Sequence, residues 1–176
     1  MGEEMILGLK RGEVRLVPHQ REWRAAFAGE KNRLTLLLGE SALRIEHVGS
    51  TAVPDLPSKP VIDVAIAVRS FAVINPWPAI LKEAGYTYFG DREGRGDHFF
   101  AKGPDEMRTF YVHVVPIESD RWRDYLKFRD TLLANSPTRV AYADLKRLAA
   151  ENHAGSRSAY TEAKDAWIRR VLNEEA

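Results

Sequence analysis

Trp23, Phe27, Leu34, Leu37 and Leu38 recur at helical spacing with Arg, Glu and Lys between them, and predict an amphipathic helix that Gly39 ends. Ahead of it, residues 14–17 read as a short strand stopped by Pro18. Residues 43–48 read as a second strand. The run 61–68, VIDVAIAV, is β-rich and apolar on both faces apart from one acid, the pattern of a central strand covered on both sides. A buried helix is the alternative for so short a run, but Pro60 disfavours helix at Lys59. Residues 76–84 predict a short helix with proline in its first turn and Gly85 past its end. Residues 86–89 read as a strand. Residues 99–102 and 110–115 read as two more, paired as a hairpin across GPDEMRT. In the last of these, Tyr111, His113 and Val115 share one face and Phe110, Val112 and Val114 the other.

From Ser119 the period becomes helical. Trp122, Tyr125, Leu126, Arg129, Leu132 and Leu133 form one stripe, which Ser136-Pro137 breaks. Tyr142, Leu145, Leu148 and Ala149 form a second, and Tyr160, Lys164, Trp167, Ile168 and Val171 a third. A sheet followed by helices predicts an α+β (mixed α/β) fold. Neither repeat nor linker interrupts it. The expectation is one domain over 1–176, with a sheet-containing core at about 14–118 and C-terminal helices at about 119–173.

Composition adds exclusions. Of 176 residues, 44 % are hydrophobic and 29 % charged, ordinary values that argue against disorder. Cysteine is absent, so disulfides and thiolate metal sites are excluded. The opening MGEEMILGLKRGEV has acids and glycines where a signal peptide needs an apolar core, and no apolar run approaches the ~20 residues of a membrane span. A cytoplasmic protein with no membrane association is expected. Net charge is +1, from 26 Lys+Arg against 25 Asp+Glu, which predicts no broad nucleic-acid surface. Charge that matters must therefore be local.

The local candidate is the stretch from His47 to Asp63, HVGSTAVPDLPSKPVID. Gly49 lets the backbone turn tightly and lets a ligand approach it. Ser50 and Thr51 offer hydroxyl and N–H donors that suit a phosphate oxygen. Lys59 can neutralise that anion. Asp63 projects from an otherwise apolar strand, and a buried carboxylate is costly unless it meets a cation or a metal. A phosphorylated small molecule held by the turn, with a divalent cation such as Mg2+ bridging to Asp63, accounts for all of these. Each residue also has a plain structural reading: His47 as a satisfied structural histidine, Lys59 as a solvated lysine, Asp63 as a turn cap or arginine partner.

The same motif resembles the signature of the GrpB-like proteins (uncharacterised protein family 0157). The resemblance extends over nearly the whole chain, through VRLVPHQREWRAAFAGE, RTFYVHVV, LKFRDTLLANSPTRVAYADLKRLAA and YTEAK. It implies membership of the nucleotidyltransferase superfamily, a mixed β-sheet flanked by helices, and a nucleoside triphosphate as substrate. It also implies that Gly49 and Ser50 match the superfamily's glycine–serine turn and Asp63 its first metal-binding carboxylate. Two departures stand out. Ala65 occupies the place of the second acid, and the strand expected to bring a third offers His113, flanked by Tyr111. Asp55 stands where the family has glycine; if that position needs positive φ, aspartate tolerates it better than most residues.

The expected catalytic residues are thus Asp63, His113 and His47, with Asp63 and His113 as metal ligands. Phosphate contacts are expected from Gly49, Ser50, Thr51, Lys59, Lys102, Arg129 and Lys146. Arg129, Lys146 and Lys164 lie on or beside apolar stripes, where basic side chains also simply snorkel. Arg95 and His98, in the polar GDREGRGDH loop, read first as solvated. The leading expectation is a metal-dependent nucleotidyltransferase. The alternatives are a non-catalytic nucleotide- or metabolite-binding module, which Ala65 favours, and an enzyme of another class using His47 and His113.

Overall fold

Strand β2 (Ile62–Val68) is the centre of the molecule, and its sequence explains why. Ile62, Val64, Ile66 and Val68 face one side and are buried with Trp23, Leu34, Leu38, Trp77 and Leu81. Ala65 and Ala67 face the other side and are buried with Val48, Val115 and Trp122. Both faces are covered, as the apolar run predicts, and the alternative of a buried helix falls away. A computed structural model describes residues 5–91 and 96–174 of the chain. Arg95 lies outside the described residues.

The sheet has five strands in the order β1-β2-β5-β4-β3. The remaining strands are β1 (Arg44–Val48), β3 (Tyr86–Asp91), β4 (His98–Lys102) and β5 (Phe110–Pro116). Only β2 and β5 are parallel; every other neighbouring pair is antiparallel. Helices α1 (Glu22–Leu38) and α2 (Trp77–Glu83) cover the face of Ile62 and Val64. Helix α3 (Asp120–Ala134) covers the opposite face through Trp122. Helices α4 (Ser136–Asn152) and α5 (Arg157–Glu174) pack with α3 around the β1–β2 loop, where Val53 and Leu56 are buried with Leu132, Tyr142 and Ala143. The α3 start is capped by Ser119 Oγ, which accepts the Trp122 N–H at 3.2 Å.

Two expectations are corrected. Residues 14–17 do not form a strand. Val17 alone pairs, exchanging backbone hydrogen bonds with Ser58, and Pro18 has no N–H with which to extend the ladder. Leu37, Leu133 and Leu148 leave the apolar stripes predicted for them and are exposed, Leu148 at 57 %. In α1 the inward position is taken instead by Glu30, whose carboxylate accepts the Tyr86 hydroxyl at 2.8 Å and the Lys102 ammonium at 2.6 Å. Among the described residues no helix is long and apolar enough to cross a membrane.

Candidate functional site

Register brings the glycine–serine turn to the acid. Val48, the last residue of β1, is the pairing partner of Asp63 on β2, so the chain leaving β1 turns directly over the Asp63 side chain. Gly49 makes that turn at φ 69° and ψ −172°, a region only glycine occupies readily. A Cβ there would lie 2.7 Å from Asp63 Oδ2. Ser50–Ala52 follows as a single 3-10 turn, with Ala52 N–H donating to the Gly49 carbonyl. The Ser50 side chain bonds Tyr142, and Thr51 Oγ1 lies 2.9 Å from His47 Nε2.

The parallel pairing of β2 with β5 sets His113 opposite Ala65. Its Nε2 lies 3.4 Å from Asp63 Oδ1, and its Nδ1 lies 2.9 Å from Asp97 Oδ2. Asp97 is completely buried and also accepts the Tyr125 hydroxyl at 3.2 Å. Burial opposes a charge on His113, but the hydrogen bonds and charges of Asp63 and Asp97 outweigh it and hold its pKa above the ordinary value. Burial likewise pushes the Asp63 carboxyl up; His113, Lys59 and Arg157 outweigh that and hold it below the usual range.

Cations collect around this acid. Lys59 and Lys164 both lie over one ring, that of Tyr160, at 5.2 and 4.1 Å from its centre, and Arg157 lies 4.7 Å from the centre of Tyr111. All three are within electrostatic reach of Asp63. Burial, then repulsion from Arg157, pushes Lys59 down to about 8; burial, then Lys59, pushes Lys164 down to about 7. Asp63 offsets only part of either shift.

The expected site residues therefore separate. Gly49, Ser50, Lys59, Asp63 and His113 come together. His47 and Thr51 stand behind the turn: His47 points to the opposite sheet face, where its ring stacks on Phe27 at 4.7 Å, and burial lowers its pKa to about 4. A neutral, stacked ring that holds Thr51 positions the turn, and the expected catalytic role does not fit it. Lys146 is buried and donates to the Pro57 carbonyl at 2.5 Å, with Ser58 Oγ 3.4 Å away, so it anchors the loop from α4. Lys102 is a correction: it lies on the far face, paired with Glu30. Arg129 is another, since its guanidinium is spent on Glu46, the His47 carbonyl and Asp130. His98 is half-buried against Phe71, its Nδ1 bonded to the Tyr88 hydroxyl, rather than solvated.

Asp97, Tyr125 and Arg157 were not singled out by sequence. For Asp97 the available signal was an acid just ahead of a strand in GDH, obscured by the polar loop around it. Among the described residues no group of three or more His, Asp or Glu is placed to hold a metal ion. The donors agree with this. Both ring nitrogens of His113 face carboxylates, and Asp63 is crowded by fixed positive charge, so the expected Asp63–His113 ligand pair does not fit a divalent cation.

A mixed sheet between helix layers, with a glycine–serine turn closed over a strand carboxylate, defines the class as an α+β protein with one polar site on a sheet face. The chain belongs to the GrpB protein family, whose model matches residues 13–174. The glutamate-rich protein GrpB of Alkalihalophilus pseudofirmus is 35 % identical over 173 residues, covering 96 % of this chain and 99 % of that protein. The crystal structure of conserved protein GrpB from Enterococcus faecalis superposes with a TM-score of 0.83 at 31 % identity, covering 91 % of this chain and 96 % of that chain. A dephospho-CoA kinase of Mycolicibacterium paratuberculosis is 32 % identical over 185 residues, covering 92 % of this chain and 46 % of that protein.

Proposed function

We propose that the protein binds a phosphorylated small molecule, a nucleotide first among them, in the space bounded by the Gly49–Ser50 turn, Asp63, Lys59 and Arg157. The observation that carries this reading is the imbalance of charge. Lys59, Lys164 and Arg157 all act on Asp63, with Asp165 as a second acid near Lys164, and burial and mutual repulsion still lower both lysines. An anion entering the cluster relieves that repulsion, whereas a neutral ligand does not. Gly49, lacking a Cβ, lets Asp63 lie against the turn.

The test is calorimetric titration of the purified protein with ATP, CTP, GTP, UTP and dephospho-CoA, the last chosen for the name its mycobacterial relative carries. Saturable binding in the millimolar range or tighter is expected. No heat with any of them would remove the reading.

Nucleotidyl transfer to an acceptor is the second reading, favoured by one observation: the glycine–serine turn abuts Asp63 directly. Pyrophosphate release from a triphosphate across an acceptor panel supports it. Binding without release across that panel leaves a non-catalytic module, the arrangement that Ala65 favours.

A further inference from the structure

We infer that the His113 imidazolium stands in place of a divalent cation beside Asp63, so that the site takes a phosphoryl group without a metal ion. The inference rests on the phosphate-binding reading above and specifies how the phosphate is met.

Three observations carry it. A neutral imidazole has one N–H and one lone pair, and a carboxylate only accepts. A ring set between Asp97 and Asp63 is satisfied on both sides only when both nitrogens carry protons, and it then has no lone pair for a metal. The two contacts differ in a useful way. Nδ1 is held at 2.9 Å by a completely buried acid, while Nε2 is 3.4 Å from Asp63, a loose contact that an incoming oxygen can share or replace.

The second observation is the register. Ala65 lies opposite His113, so a methyl group occupies the next β2 position on this face, from which another carboxylate would join Asp63. The third is the surrounding charge. Lys59 and Arg157 both act on Asp63, so a divalent cation beside Asp63 would enter against two positive charges. Asp63 is a third exposed and Asp97 not at all, so of these two carboxylates only that of Asp63 is in reach. A phosphate dianion meets the reverse: an N–H donor on a cation, with ammonium and guanidinium groups behind it.

The full chain, labelled with nitrogen-15, tests this by NMR at neutral pH. Both His113 ring nitrogens are expected to be protonated, and stoichiometric Mn2+ is expected to leave their signals sharp. Calorimetry with ADP, and separately with inorganic phosphate, is then run in EDTA and in millimolar Mg2+. Affinity in EDTA is expected to equal or exceed that in Mg2+, and the two probes tell whether the nucleoside adds to the phosphate. His113→Gln is expected to weaken binding about tenfold or more in EDTA. H113D sets a third carboxylate beside Asp63 and Asp97 and is expected to make Mn2+ binding appear. Broadening of His113 by Mn2+ in the unsubstituted protein, or binding that requires Mg2+, overturns the inference. Silence of both probes overturns the phosphate reading itself; the NMR spectrum needs no ligand and still decides the metal question.

Discussion

Gly49 and Asp63 touch through the space a side chain would fill: a Cβ on Gly49 would sit 2.7 Å from Asp63 Oδ2 and 3.0 Å from Asp63 Cβ. The backbone there also adopts a conformation strained for any residue with a Cβ. Gly49→Ala must therefore displace the acid or the turn. We expect a loss of about 1–3 kcal/mol in urea denaturation, with phosphate binding lost as well. Unchanged stability and binding would show that the turn and the acid are not coupled.

Asp55 is the one described non-glycine residue at positive φ, 63°. Positive φ is the region that glycine occupies freely, and aspartate meets it at some cost. Asp55→Gly should raise the urea midpoint by an amount equivalent to about 0.5–1 kcal/mol. A lower midpoint would mean that the Asp55 side chain makes a contact worth more than the relief of strain.

Arg129 joins α3 to β1 by donating to Glu46 Oε2 at 3.0 Å and to the His47 carbonyl at 3.1 Å. Arg129→Met leaves these half-buried acceptors short of a donor and should cost about 1–3 kcal/mol. Affinity for ADP should stay as it was. A large drop in affinity with little loss of stability would return Arg129 to the ligand.

Lys164 and Lys59 are pushed down to about 7 and about 8 on folding, from an ordinary 10.5. Between those values and 10.5 these two lysines hold more protons in the unfolded chain than in the folded one, so their contribution to the stability of the free protein should rise with pH from about 7 upward. Phosphate binding works in the opposite sense, because it favours the charged amines: affinity should fall over the same window. Denaturation and titration at pH 7, 8 and 9 check both slopes, and Lys164→Met should flatten the part nearest pH 7.

Several elements were legible because their pattern is local. β2 shows itself by a run apolar on both faces, α1 by its helical stripe ended at Gly39, and the α3–α4 break by Ser136-Pro137 after the Asn135 cap, which accepts the Thr138 N–H. The turn and its acid were legible for the same reason: Gly49, Ser50 and Asp63 lie on one strand–loop–strand unit. The roles of the cations were not. Lys102, Lys146 and Arg129 look alike as isolated basic residues, yet one pairs with Glu30 across the far face, one ties down Pro57, and one bridges Glu46.

By itself the sequence determined the five sheet strands and the main helices, their order and the glycine–serine turn that leads to Asp63, though not the absence of a strand at 14–17, because hydrophobic period and turn chemistry act over a few residues. The sequence and its family resemblance already point to Lys59 and His113 beside Asp63; tertiary structure alone decided how His113 is held and what else surrounds the acid. Parallel pairing of β2 with β5 delivers His113, 50 residues distant in the chain, and the edge of β4 delivers Asp97 behind it. Packing of α5 delivers Lys164 and Arg157. Residues so far apart carry no mark of one another in a local pattern, and their charges act on each other only after burial has removed the water between them.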